Sequence, residues 1–96
     1  MKVVIKKSTN PKKKYMAIFT DDKGKKVKTT HFGAVGFSHY PIHKDDERKK
    51  RYIDRHKKSE NWNNKFSAGA LSRWILWNKP TLRDSIADYK RRFKLK

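Results

Sequence analysis

Ser67-Ala68-Gly69-Ala70-Leu71-Ser72-Arg73-Trp74-Ile75-Leu76-Trp77 is the one stretch where an otherwise very polar chain turns almost wholly apolar. At about 100° per residue, Ala70, Leu71, Trp74, Ile75, Leu76 and Trp77 point to nearly every side of a helix, and only Ser72 and Arg73 open a polar stripe. A helix apolar nearly all round is a buried one. It falls short of the roughly 20 apolar residues that span a bilayer, so its cover must come from the rest of the chain or from another subunit. Two Trp left partly exposed would favour a homo-oligomer joined through the Trp74/Trp77 helix.

Working outward, Ser67 is placed to cap this helix, and Asn78-Lys79-Pro80 ends it, because proline disfavours helix at the residue before it. Thr81 caps a further helix, with Asp84 three residues on as a capping-box-like partner. Leu82, Ile86, Tyr89 and Phe93 then fall within about 60° of arc and form an apolar stripe whose nearest partner is the central helix. On the other side, residues 59 to 65 read as a polar loop anchored by Trp62. Asp45 to Lys58 carries its acids at the start and its bases at the end, as a helix dipole prefers. Its apolar content is thin, Tyr52, Ile53 and the ring of His56, which predicts a surface helix docked along one narrow edge.

Upstream, Lys2 to Lys7, Tyr15 to Thr20 and Val27 to Ala34 are β-branched or aromatic runs separated by turn material. Ser8-Thr9-Asn10-Pro11 and Asp21-Asp22-Lys23-Gly24 supply the turns. Alternation puts Tyr15, Ala17 and Phe19 on one face and Met16 and Ile18 on the other, without deciding which is buried. Gly33 to Pro41, two Gly and a Pro among aromatics, reads as an ordered loop. The expected architecture is a single α+β domain over residues 1–96. It comprises a three-stranded antiparallel β-meander (1–34), an ordered loop (35–44) and a helical part (45–96). That last part holds three α-helices, the middle one buried, and a short basic C-terminal tail.

Charge sets the partner class. Ninety-six residues carry 27 Lys+Arg against 9 Asp+Glu, a formal +18, with 34% hydrophobic residues. Low hydrophobicity with high charge approaches the disordered regime, but 12% aromatic residues at regular spacing argue for a folded domain with disorder confined to its ends. A chain of this size buries only about 60% of its unfolded surface, so the core is small. Self-repulsion at this charge is relieved by a polyanion. Nucleic acid leads, and an anionic lipid surface, a heparin-like sugar or an acidic protein satisfies the same arithmetic. The charge is spread along the chain, unlike that of a basic tail. Cysteine is absent, which removes disulfides and thiolate zinc sites and suits an intracellular or virion-internal compartment. The three-residue apolar run near Met1 is too short for a signal-peptide core.

Lys12, Lys13 and Lys14 in the first turn, with Lys25, Lys26 and Lys28 around the second, are placed to grip phosphates without reading sequence. The plain alternative is solubilising lysine on edge strands. Arg48, Lys49, Lys50, Arg51, Arg55, Lys57 and Lys58 surround the first helix and suit DNA contact or nuclear targeting; membrane adsorption needs a broad apolar face that this helix lacks. Arg73, Arg91 and Arg92 complete the candidate nucleic-acid-binding set. The second and third helices have the length and link of a helix-turn-helix. Asp84 and Asp88 on the presented face favour plain packing instead. His31, His39, His43 and His56 with Asp45, Asp46, Glu47 and Asn63 are the only material for a metal site, and Pro41 between His39 and His43 argues against helical pairing. No catalytic signature is present, so no cofactor or metal is expected, and a small metal-dependent nuclease is the enzymatic alternative. Phe32, Phe37, Tyr40 and Trp62 could stack on unpaired bases, although a core this small needs most of its aromatics.

Lys14-Tyr15-Met16-Ala17, His31-Phe32-Gly33-Ala34, Tyr40 to Asp45, Glu47 to Lys58, Glu60-Asn61-Trp62 and Ala70 to Leu82 together resemble a family of small basic proteins of uncharacterised function encoded by nucleocytoplasmic large DNA viruses. The resemblance runs over roughly residues 13 to 93 and carries no catalytic residues over. It implies a viral setting, a virion interior, viral factory or host nucleus. There the chain would be a non-enzymatic, largely sequence-independent DNA-binding protein that condenses or coats the genome. A structural virion protein with a basic interaction surface is the other reading.

Overall fold

In the computed structural model, which describes residues 1–35, 45–58 and 61–96, three strands form one antiparallel sheet in the order β1-β2-β3. β1 is Lys2–Lys7, β2 Lys13–Thr20 and β3 Lys26–Ala34. Side chains shape both turns. Asn10 Oδ1 accepts from the Lys12 N–H at 2.9 Å, and Asp21 Oδ1 accepts from the Lys23 and Lys25 N–H groups, each at 2.9 Å. Gly24 takes φ +81°, the left-handed backbone that glycine adopts without steric cost. The pairing passes from Phe19↔Lys28 to Thr20↔Lys26, so Val27 is the extra residue of a bulge and points into solvent.

Register decides which sheet face is inside. Val3 lies opposite Phe19, and Tyr15 opposite Phe32, and Val3, Ala17, Phe19 and Phe32 are all buried. The Tyr15, Ala17, Phe19 face is therefore the core face.

Among the described residues the sheet is followed by three helices: α1 (Asp46–His56), α2 (Ala68–Leu71, continued by a π-helical turn over Ser72–Leu76) and α3 (Leu82–Arg92). Each start is capped by the residue type its sequence supplies. Asp45 accepts from the Glu47 and Arg48 N–H groups, Ser67 Oγ from Ala70 N–H and Thr81 Oγ1 from Asp84 N–H. Such a cap contributes about 1 kcal/mol.

The middle helix is buried as its composition requires. Ala70, Leu71, Ile75 and Leu76 are 2% exposed or less, each large side chain contributing roughly 1.5–3 kcal/mol. Its second half departs from the plain α-helix expected. The Trp77 N–H reaches back five residues to the Ser72 carbonyl at 3.1 Å, and the wider turn accommodates four bulky side chains in a row. Tyr89 of α3 closes the core from the far side, its hydroxyl donating to the Lys65 carbonyl at 2.6 Å. Burial pushes the Tyr89 phenol well above its ordinary pKa.

The ends are ordered, contrary to the disorder that charge alone predicts. α3 finishes in a Schellman-type turn: Lys94 at φ +55°, Leu95 N–H to the Lys90 carbonyl at 2.7 Å and Lys94 N–H to the Arg91 carbonyl at 3.4 Å. This turn swings Leu95 into the core and lays Lys96 along β1, with Lys96 N–H to the Met1 carbonyl and Val3 N–H to the Lys96 carbonyl, both at 3.1 Å. One buried leucine and two backbone bonds outweigh the repulsion of the tail's lysines. Of the loop expected over 35–44 only Val35 is among the described residues, and Ser59 and Glu60 of the second loop also lie outside them.

Candidate nucleic-acid interface

α1 presents its arginines as a ladder. Arg48, Arg51 and Arg55 stand at i, i+3 and i+7, within about 60° of arc, beside the docked edge formed by Tyr52, Ile53 and His56. Tyr52 is the pivot of that edge. It stacks on Trp77 at 4.6 Å between ring centres with 7° between planes, and His56 lies 4.4 Å from it on the same helix. This packing turns the ladder toward the end of the sheet where Lys13 pairs with Ala34. The result is a cleft of about 700 Å³ with Arg48, Arg51, Arg55 and His56 on one wall and Lys13 with the end of β3 on the other. Ala68, Gly69 and Ser72 of α2 join Phe32, Tyr52 and Trp77 at its base. No carboxylate is among the described residues that line it, and Arg51 and Arg55 make no ion pair among the described residues. Gly33, near the end of β3, takes φ +84°, which glycine adopts without steric cost, and lines the cleft without a side chain.

The sixteen cations expected to meet phosphate do not form one surface. Lys13, Arg48, Arg51 and Arg55 converge on the cleft. Lys12, Lys25, Lys26 and Lys28 are exposed around the sheet turns, Lys50 is exposed on α1, and Lys57 and Lys58 are exposed just past its end, with Lys57 3.9 Å from Asp54. Lys14 is half-buried, and burial lowers its ammonium pKa. Lys49 turns inward and donates to the Asn78 carbonyl at 2.6 Å; burial first, then the charge of Arg73, lowers its pKa. Arg91 is exposed on α3.

Arg73 and Arg92 have internal work. The Arg73 guanidinium lies 4.2 Å from the Trp74 ring centre and 5.4 Å from that of Trp62, and its Nη1 donates to the Trp77 carbonyl at 2.6 Å. Arg92 lies 3.6 Å from the Trp74 ring centre and its Nη2 3.5 Å from Asp88 Oδ2. Trp74 in turn donates its indole N–H to the Trp62 carbonyl at 3.1 Å. Arg73 and Arg92 thus lie over the ring of Trp74, which stays half-buried, and Tyr52 stacks on Trp77.

The link between α2 and α3 is a polar knot. Asn78 Nδ2 donates to the Trp74 carbonyl and to Asp88 Oδ2, and Ser85 Oγ accepts from the Lys79 N–H. Burial raises the Asp88 pKa, but the Asn78 hydrogen bond and the charges of Arg92 and Lys79 outweigh it and hold the carboxyl below its ordinary value.

Among the described residues no three His, Asp or Glu side chains come together as metal ligands. His31 is hydrogen-bonded to Ser8 Oγ at 2.7 Å, and His39 and His43 lie outside the described residues, as do Phe37 and Tyr40. No helix among the described residues is long and apolar enough to cross a membrane. Sequence reasoning missed His56, Gly33 and Gly69 as parts of one site, because only tertiary packing brings β2, β3, α1 and α2 to the same cleft.

Fold and cleft together define a small basic α+β domain with a cation-walled cleft between sheet end and first helix. Residues 3–56 match a family of unknown function, DUF5754, and with more than half of its length matched the chain belongs to that family. All five cationic and imidazole side chains of the cleft walls fall inside the matched segment. No curated protein and no solved structure matches the chain.

Proposed function

We propose that this protein binds nucleic acid, with double-stranded DNA as its bulk partner, and coats it without enzymatic chemistry and with little regard for sequence. The observation that carries this reading is the convergence of Lys13, Arg48, Arg51 and Arg55 around a cleft with no lining carboxylate among the described residues, in a chain of net charge +18. Guanidinium forks on a helix face match phosphate oxygens bidentately and read no base. The exposed lysines of the sheet turns enlarge the attractive field and speed encounter. In the viral setting that the resemblance implies, the polyanion is a large genome and the protein one of its condensing coats.

A salt titration of binding to random duplex DNA tests this. About four phosphates neutralised by the cleft walls give a slope of roughly −3.6 in log affinity against log salt, a loss of about a hundredfold between 50 and 200 mM. Affinity that barely changes over that range, or a preference for one sequence above about a thousandfold, refutes the reading.

A further inference from the structure

Resting on that reading, we infer that the cleft is built for a single unpaired strand, which enters between α1 and the sheet end while duplex DNA only lies across the rim. Size gives the first reason. The cleft holds about 700 Å³, within the roughly 300–1,000 Å³ typical of sites for small ligands. A duplex, whose major groove alone is about 12 Å wide, does not enter such a space, whereas two or so nucleotides of one strand do.

The walls give the second reason. From Arg48 to Arg55 the ladder runs about 10 Å along the helix axis, enough to meet consecutive phosphates of a strand threaded along α1. Lys13 faces it from the sheet, so a strand lying between them is gripped from both sides, where a flat basic surface would grip from one.

The base of the cleft gives the third. Gly33, Ala68 and Gly69 carry little or no side chain, so sugar and base can approach the backbone closely. Phe32, Tyr52 and Trp77 line the same space. Tyr52 and Trp77 are already stacked on each other and nearly buried, so they offer apolar edges to a base instead of an open stacking face.

The test fills the cleft without touching its charge. Ala34→Phe and Ala68→Phe each place a ring in the cleft from an exposed position, one from the sheet end and one from the start of α2. Binding of the full-length wild-type and variant chains to fluorescent hexathymidylate and to a random duplex is followed by anisotropy at about 50 mM salt. Thermal unfolding of each variant checks the fold. The expected result is a loss of at least about tenfold for hexathymidylate with both variants, and a loss for the duplex at least about threefold smaller than that. Hexathymidylate affinity within about twofold of wild type in either folded variant overturns the inference while leaving duplex coating intact. If the wild type binds neither probe, nucleic-acid binding itself fails, and the strand site with it.

Discussion

Two groupings of arginine with aromatic rings lie on this small molecule, one around Trp74 and one around Trp77, and they put the same chemistry to opposite uses. Around Trp74, Arg73 and Arg92 lie on the indole and are spent inside the fold, on a carbonyl and on Asp88. Around Trp77, the ring stacks on Tyr52, and Arg48, Arg51 and Arg55 on the same helix as Tyr52 are left facing the cleft. The difference is one of cover. α2 is apolar nearly all round, and sheet, α1 and α3 bury most of it; the side they leave open is closed by guanidinium groups, which shield an indole and keep contact with water. α1 needs only a narrow edge buried, so Arg51 and Arg55 remain exposed to a ligand.

Three substitutions, with truncation of Arg51 as a control, probe this contrast in order of expected effect. Trp77→Ala removes the ring that joins α1 to the core and is expected to cost about 3–5 kcal/mol, much of the stability of a domain this size. Chemical denaturation checks it, and a cost below about 1 kcal/mol would mean that α1 is held elsewhere. Arg73→Ala is expected to cost about 2 kcal/mol, through the two ring contacts and the Trp77 carbonyl it leaves without a donor. The equivalent truncation of exposed Arg51 should stay within about 0.5 kcal/mol. The smallest effect of the three is one of pH. The Asp88 pKa is lower in the folded chain than in the unfolded one, so its contribution is complete above about pH 4 and is lost as pH falls through the folded value. Asp88→Asn should flatten the acid limb of the stability profile, and an unchanged limb would remove Asp88 from the account.

The fold was legible where a local rule acts alone. β-branched runs marked the strands to within two residues, and Asp45, Ser67 and Thr81 marked the helix starts. Where two positions compete on equal local terms, only pairing decides. Tyr15, Ala17 and Phe19 alternate with Met16 and Ile18, and it takes the register with Val3 and Phe32 to choose between the faces. The π-helical turn accommodates Trp74 to Trp77, four bulky residues in a row, which helical periodicity reads as plain α-helix. Lys94-Leu95-Lys96 reads as a solvated tail because two charges outvote one leucine until β1 offers backbone partners. Arg73 and Arg51 are indistinguishable by composition; what separates them is that one lies on a helix buried on most sides and the other on a helix docked by an edge.

The salt dependence of duplex binding, compared between Arg51→Ala and Arg73→Ala, addresses the central claim most directly. If the cleft walls carry the phosphate contacts, Arg51→Ala lowers the magnitude of the log–log slope by about one, while folded Arg73→Ala keeps the wild-type slope. A wild-type slope in Arg51→Ala together with a reduced one in Arg73→Ala would contradict the account and move the interface to the Trp74 side of the molecule.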